Sequence, residues 1–321
     1  MKNLDKLRNK NILVAGGSGF IGSNLIRVFT DSGLKLTATL HKSDPQVIST
    51  LVKYVKCDLT RFEDCLKVTK EIDYVFMLAA NSSGAQVIQE NPLAHLTPNI
   101  LMNTSMLEAS RINDVKRFCF ISSNTVYPET DYPVIESDVS FQFHEKYYVV
   151  GWMKIFSEIM CKIHKEKSKK RLDTLIIRPG NLYGPYDKFS YTEAKVIPAL
   201  IRKAIEKNNP FEVWGDGSDL KDFLFIDDFI DGLLSVFEKE VDYGPINIAS
   251  GSSISIAEII PIILHYAGHK NANILFDNSK PKMISKRLIN IKKINDSTGW
   301  QPSTSIENGI EKTIKWYKKY G

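Results

Sequence analysis

The chain has little cysteine, no long apolar run and no marked excess of one charge. Its four cysteines, Cys57, Cys65, Cys119 and Cys161, show no metal-ligand spacing, so no metal site is expected. No apolar stretch reaches the roughly 20 residues a membrane span needs. The segment Met1 to Lys10 is polar and lacks the apolar centre of a signal peptide. A cytoplasmic protein with reduced thiols and no membrane partner is therefore expected. The net charge is +5 with dispersed lysines, which gives no basis for a nucleic-acid partner but suits a phosphorylated small molecule. The one dense basic run, Lys162 to Arg171, contains Glu166 and reads as the solvated end of a helix. No internal repeat or low-complexity linker is present, so two lobes packed on each other are expected from the 321 residues.

What is present is alternation. Asn11–Ala15 is a short apolar run ending in glycines, as in a buried parallel strand. Phe20 to Ser32 follows as a helix with Ile21, Leu25, Val28 and Phe29 on one face, closed by Gly33. Leu36–Leu40, Tyr54–Cys57, Tyr74–Leu78 and Arg117–Ser122 read as strands, and Thr97 to Asn113 as a helix whose pattern is carried by Ile100, Leu101, Thr104 and Leu107. Lys146 to Lys167 reads as a long helix and Thr174–Arg178 as the next strand. The pattern predicts an α/β fold: a Rossmann doubly wound parallel sheet over residues 1–178, with a smaller C-terminal substrate-binding lobe over 179–321 from which some elements return to the sheet. In that lobe Glu193–Lys207, Asp228–Glu238 and Ile306–Tyr320 are helical, and Glu212–Trp214 and Ile246–Ile248 are strands.

Between the first strand and helix, Gly16, Gly19 and Gly22 stand three apart. Glycine there permits a tight turn and a close backbone approach to a pyrophosphate, which then meets the helix amino terminus at Phe20 and Ile21. A dinucleotide, NAD(H) or NADP(H), is expected. Asp58 and Leu59 would meet adenine, and the small Ala79 and Ala80 would let the cofactor cross the strand ends. The second strand ends without the acid that binds ribose hydroxyls. His41 and Lys42 stand there instead and suit a 2′-phosphate, yet the glycine loop has Ser18 and no arginine, so both cofactors stay open.

Ile121-Ser122-Ser123-Asn124-Thr125-Val126-Tyr127-Pro128, Arg178-Pro179-Gly180-Asn181-Leu182-Tyr183-Gly184-Pro185 and Asp222-Phe223-Leu224-Phe225-Ile226-Asp227-Asp228 resemble three segments of the extended short-chain dehydrogenase/reductases, the NAD-dependent epimerase/dehydratase type. They span nearly the whole chain. The resemblance places the catalytic hydroxyl on Ser123, the nicotinamide-ribose lysine on Lys154 and cofactor contacts at Pro179. Gly184 to Phe189, Val196 to Lys203 and Val213 to Gly217 are similar to the GDP-fucose synthase branch. That likeness implies a GDP-linked sugar held by Asn181, Lys195 and Val196, with Trp214 near guanine and Lys221 and Arg287 on the diphosphate. It also implies a homodimer through the Thr97–Asn113 and Lys146–Lys167 helices, whose apolar residues include Ile155, Ile159 and Ile163.

Here the absences matter most. The family carries tyrosine four residues before its lysine, and the phenol exchanges a proton with the sugar. Before Lys154 that position is Val150. Tyr147 is one turn away, about 5 Å along a helix, and it, Ser123, a water or Lys195 is left to carry the proton. The branch's epimerising cysteine and histidine are replaced by Thr125 and Lys195, and the Asp-Glu pair of the dehydratases by Asn124-Thr125. The leading expectation is an NAD(P)-dependent oxidoreductase acting at a ring carbon, C4, of a GDP-linked sugar. An epimerase working through a keto form with Lys195, or a non-catalytic binder of dinucleotide or sugar nucleotide, is the alternative.

Overall fold

The computed structural model describes residues 4–81, 91, 93–239, 244–280 and 284–321. Strand β1 (Ile12–Ala15) is buried throughout, with Ile12 and Val14 in the core on one side and Leu13 and Ala15 in the core on the other. Successive side chains of a strand point to opposite faces, so a strand covered on both sides must be apolar at every position. β2 (Leu36–Leu40), β3 (Val52–Lys56), β4 (Tyr74–Met77), β5 (Arg117–Ile121) and β6 (Asp173–Pro179) lie in the same sheet. The second half adds β7 (Asn181–Tyr183), β8 (Phe211–Trp214), β9 (Leu220–Lys221), β10 (Phe223–Phe225), β11 (Pro245–Ile248), β12 (Ile254–Ser255) and β13 (Ile274–Asp277).

The large sheet is parallel throughout, in the order β11-β6-β5-β4-β1-β2-β3. Helix α1 (Phe20–Asp31) lies on one face; α2 (Phe62–Thr69), α3 (Leu93–Ile112) and α4 (Tyr148–Glu166) lie on the other. This is the doubly wound α/β fold that the alternation predicts. The strand order reverses between β4 and β1, and in such sheets ligands bind beyond the carboxyl ends at that point. Helices α5 (Val196–Ile205), α6 (Ile226–Glu238), α7 (Ile256–Ala267), α8 (Lys292–Thr298) and α9 (Ile306–Tyr320) complete the chain. Around α5, α7 and α9 stand three two-stranded sheets, β10-β7, β12-β9 and β13-β8, while β11 and α6 return to the large sheet.

Several boundaries differ from the sequence reading. β3 pairs with β2 from Val52 to Lys56 and stops before Cys57, because an edge strand alternates exposed lysines with partly buried residues and has no continuous apolar run. α3 buries His95, Asn99, Asn103, Met106, Leu107 and Ser110 and turns Leu101 outward. Its inward amides are satisfied: Asn99 Nδ2 donates to the Asn81 carbonyl at 2.9 Å and Asn103 Nδ2 to Ser157 Oγ of α4 at 2.9 Å. α4 starts at Tyr148 after a single 3-10 turn, Glu145–Tyr147, so Tyr147 is its N-cap and not a helical residue. α5 starts at Val196 with Lys195 at its N-cap, three residues later than expected. On α4, Ile155 is buried while Ile159 and Ile163 are 43% and 45% exposed, so the three isoleucines do not share one face. No helix among the described residues is long and apolar enough to cross a membrane.

Candidate active site

At the switch point the turn after β1 is built around glycines that admit no side chain. A Cβ on Gly22 would lie 2.1 Å from the Gly16 carbonyl oxygen, and one on Gly16 (φ +93°) would lie 2.7 Å from Ala79 Cα after β4. Thr39 of β2 fixes the turn: its hydroxyl accepts the Gly16 N–H at 2.9 Å and its carbonyl the Gly17 N–H at 2.8 Å. Gly19 is the N-cap of α1 and has no side chain with which to cap it. The N–H groups of Phe20, Ile21 and Gly22 therefore face the turn, where the helix dipole favours an anion. Gly16 and Gly22 let the backbone close on itself, while at Gly19 a Cβ would meet only the Gly16 carbonyl oxygen, at 3.3 Å, so the turn is open there and fits a dinucleotide pyrophosphate.

Around this cradle lie the other expected cofactor residues. Asp58 follows β3, and its Oδ1 accepts from Thr60 N at 3.0 Å and Thr60 Oγ1 at 2.7 Å; those bonds hold the carboxyl below the usual range. Leu59 is core, Ala79 half-buried and Ala80 exposed, while His41 and Lys42 are exposed at the end of β2. Pro179 is buried, and its carbonyl accepts from Asn124 Nδ2 at 3.0 Å.

Beyond β5, Ser123 caps a short turn (Asn124–Val126), accepting from Thr125 N at 3.1 Å and from Thr125 Oγ1 at 2.9 Å. With both acceptor positions filled, its own O–H proton is left to donate. Lys154 of α4 donates to the Ile121 carbonyl at 2.8 Å, two residues before Ser123, over the Phe120 ring at 5.0 Å. Burial pushes its pKa down to about 8, with Lys195 adding to the fall and Glu158 opposing it. Glu158, one turn on, is occupied elsewhere. It accepts from Arg178 Nη2 at 2.6 Å and Nε at 3.0 Å, and from Ser122 Oγ. Arg178 continues to Tyr127 Oη at 3.0 Å, which donates to Asn247 Oδ1 at 2.6 Å. Sequence reading missed this network, whose parts lie on four separate segments.

Val150 is half-buried in the first turn of α4. Tyr147 does not stand in for it along a helical stripe. As N-cap it lies where the charges acting on its phenol are Arg287 and Asp219, and burial pushes it up to about 12. The structure thus groups Tyr147 with the expected diphosphate residues and Lys154 with Lys195. Arg287 is 3% exposed, donates to the Pro128 and Tyr127 carbonyls at 2.7 and 3.2 Å, and keeps a buried Nε without a partner among the described residues. Lys221 is bonded to the Ile284 carbonyl and paired with Asp219 at 3.2 Å; burial, with Arg287 adding, pushes its pKa down.

Lys195 and Val196 are exposed at the start of α5. Lys154, by contrast, is the buried lysine beside Ser123. Asn181 Nδ2 donates to the Asp222 carbonyl at 2.9 Å. Trp214 is 44% exposed, its Nε1 bonded to Glu212 at 2.9 Å, so it is not core packing.

The Ser123 hydroxyl, the buried Lys154 and the glycine cradle thus lie beyond the carboxyl ends of the sheet, near its switch point. The chain belongs to the NAD dependent epimerase/dehydratase family, whose model matches residues 12–249. It is 31% identical to GDP-mannose 3,5-epimerase 1 of Oryza sativa subsp. indica, over 98% of this chain and 82% of that protein. It is 31% identical to GDP-L-fucose synthase of Sinorhizobium fredii over 96% of each. The fold matches UDP-glucuronic acid 4-epimerase of Bacillus cereus in complex with UDP-glucuronic acid and NAD, with a TM-score of 0.84, 25% identity, and coverage of 96% of this chain and 99% of that one.

Gly22→Ala should weaken NAD(H) and NADP(H) binding at least about tenfold in a fluorescence titration while circular dichroism stays native. Unchanged affinity would show that the pyrophosphate does not lie on this turn.

Proposed function

We propose that the protein is an NAD(P)-dependent oxidoreductase that exchanges hydride with a ring carbon, C4, of a GDP-linked sugar. The observation that carries the sugar-nucleotide part is the pair Lys221 and Arg287. Both are withdrawn from water, Asp219 is the carboxylate paired with Lys221, and a buried Arg287 Nε has no partner among the described residues. A buried donor left without a partner, as at Arg287 Nε, is costly, and a diphosphate would satisfy it with a charge-assisted hydrogen bond while drawing on the Lys221 charge. The relatedness to proteins named for GDP-mannose and GDP-fucose supports guanine as the base, with Trp214, Asn181 and Val196 along the nucleotide.

In the glycine cradle a nicotinamide dinucleotide supplies the two-electron acceptor or donor. Gly16, Gly19, Phe20, Ile21 and Gly22 hold its pyrophosphate, Asp58 and Leu59 its adenine, and Ala79, Ala80 and Pro179 line its path. Lys154 holds the ribose, and His41 with Lys42 favours a 2′-phosphate. Ser123 donates to the sugar oxygen through the proton left free by its two accepted bonds, with Thr125 behind it. Val150 transfers no proton, so the proton leaves through Ser123, a water or Lys195. Tyr147, beside Arg287, binds phosphate more readily than it reaches Lys154.

A second reading, an epimerase acting on a keto sugar, is favoured by Lys195, which lies within the field of Lys154. Solvent deuterium entering the sugar would single it out. The outward apolar residues of α4 (Trp152, Phe156, Ile159, Ile163) and α3 (Leu101, Ile112) fit a second copy of the chain. Sedimentation velocity should give a dimer, and a monomer at micromolar concentration would end that part of the proposal.

Adding GDP-sugars to the cofactor-loaded protein should change the absorbance near 340 nm with one of them. Ser123→Ala should slow that change by about 10²–10⁴-fold, the usual worth of a positioned proton donor. Folded protein that binds cofactor and every GDP-sugar with no absorbance change and no deuterium exchange would leave a non-catalytic binder.

A further inference from the structure

The two-stranded sheet β13-β8 carries a polar group that the proposed function leaves unused. Burial along β8 alternates: Phe211 and Val213 point into the lobe, and Glu212 and Trp214 point out of it. Trp214 is 44% exposed, yet its indole is held, since Nε1 donates to Glu212 Oε1 at 2.9 Å. β13 lies alongside in parallel, with Leu275 opposite Glu212 and Asp277 opposite Trp214. The backbone beneath is anchored. Lys203 Nζ of α5 donates to the Glu212 carbonyl at 2.9 Å, and the Gly215 N–H donates to the Asp277 carbonyl at 2.9 Å. The turn after Trp214 leads to Lys221 in β9, and the Arg287 N–H donates to the Leu220 carbonyl at 3.0 Å. The indole and the two cations assigned to the diphosphate therefore belong to one strip of the second lobe.

An exposed indole with a carboxylate bonded at its edge differs from a bare stacking platform. Stacking accepts any base, because every base has a π-face. The edge of the base is what distinguishes it, and a carboxylate only accepts hydrogen bonds. Glu212 Oε1 is taken by the indole, while Oε2 accepts from no described residue. Asp277, the other acid on this face, is committed: its Oδ1 accepts from Ser279 N at 2.9 Å and Ser279 Oγ at 2.6 Å, and Lys280 stands 3.9 Å from Oδ2. Guanine offers adjacent donors, N1–H and the 2-amino group, on one edge. Uracil offers a single donor between carbonyl oxygens that a carboxylate repels, and adenine sets its 6-amino group beside an unprotonated N1.

We propose that Glu212 is the specificity-determining residue for the base: with guanine stacked on Trp214, the Glu212 carboxylate, through its open Oε2, accepts from the N1–H and 2-amino edge. The proposal rests on the functional reading in placing the nucleotide on Trp214, and it does not depend on what happens to the sugar.

Glu212→Gln is the variant to test, because its amide oxygen keeps the Trp214 bond while its amide nitrogen turns the open position from acceptor to donor. Isothermal titration of the full-length protein with GDP, IDP, UDP and ADP reads the choice of base without turnover. The wild type should bind GDP best, about tenfold over IDP, which lacks the 2-amino group. Glu212→Gln should lose about ten- to a hundred-fold for GDP, bring GDP and IDP close to equality and bind UDP no more weakly. Unchanged NADP+ affinity would report an intact fold. A GDP preference that survives in Glu212→Gln, with the ratio of GDP to IDP unaltered, overturns the role of Glu212 and leaves the GDP-sugar reading standing. A wild type that prefers UDP overturns both. Trp214→Leu should weaken all four nucleotides together, and GDP affinity untouched by that change would overturn the placement on Trp214 and the proposal with it.

Discussion

A carboxylate and a guanidinium, both out of water, join the long helix α4 to strand β6. Glu158 and Arg178 meet through two hydrogen bonds, at 2.6 and 3.0 Å, and Ser122 closes the arrangement from β5. Lys154 lies one turn before Glu158, Ser123 follows Ser122, and Pro179 follows Arg178. The three segments that meet at the cleft are therefore set in register by one buried pair. Such a pair adds little net stability against an apolar replacement, but losing one partner alone costs about 3–5 kcal/mol because a charge is left buried. Its value here is positional.

From Arg178 the same network runs through the Tyr127 hydroxyl to Asn247, while the Tyr127 carbonyl receives Arg287. One tyrosine thus touches both the scaffold behind the reacting groups and a cation assigned to the diphosphate. Under the proposed function these two sets of residues would address the two ends of one sugar nucleotide, and a site of that kind gains from tying them to one rigid hub.

Much of the fold was legible because its signals are local. β1, β2 and α1 follow from an apolar run, a glycine turn and a helical stripe, and α9 begins and ends where its amphipathic pattern does. The inward face of α3 was not legible, because His95, Asn99 and Asn103 are buried by hydrogen bonds to Asn81 and Ser157, partners distant in sequence or in another element. At the site, the glycine turn stood out by its spacing, and Ser123 and Lys154 by resemblance to the family's segments. Tyr147 did not, because whether it starts the helix or precedes it depends on one turn of backbone. The chain of bonds from Arg178 through Tyr127 to Asn247 was invisible for a different reason: its members are brought together only by the tertiary fold.

Under the proposed function, hydride is transferred in a cleft that lacks the family's proton-carrying phenol, since Val150 stands half-buried four residues before Lys154. Val150→Tyr tests this most directly. With cofactor and the cognate GDP-sugar saturating, restoring the phenol beside Lys154 should raise turnover by about 10²–10⁴-fold over the wild type, read as absorbance near 340 nm. A folded variant that binds both ligands yet shows no gain over the wild type would contradict the account.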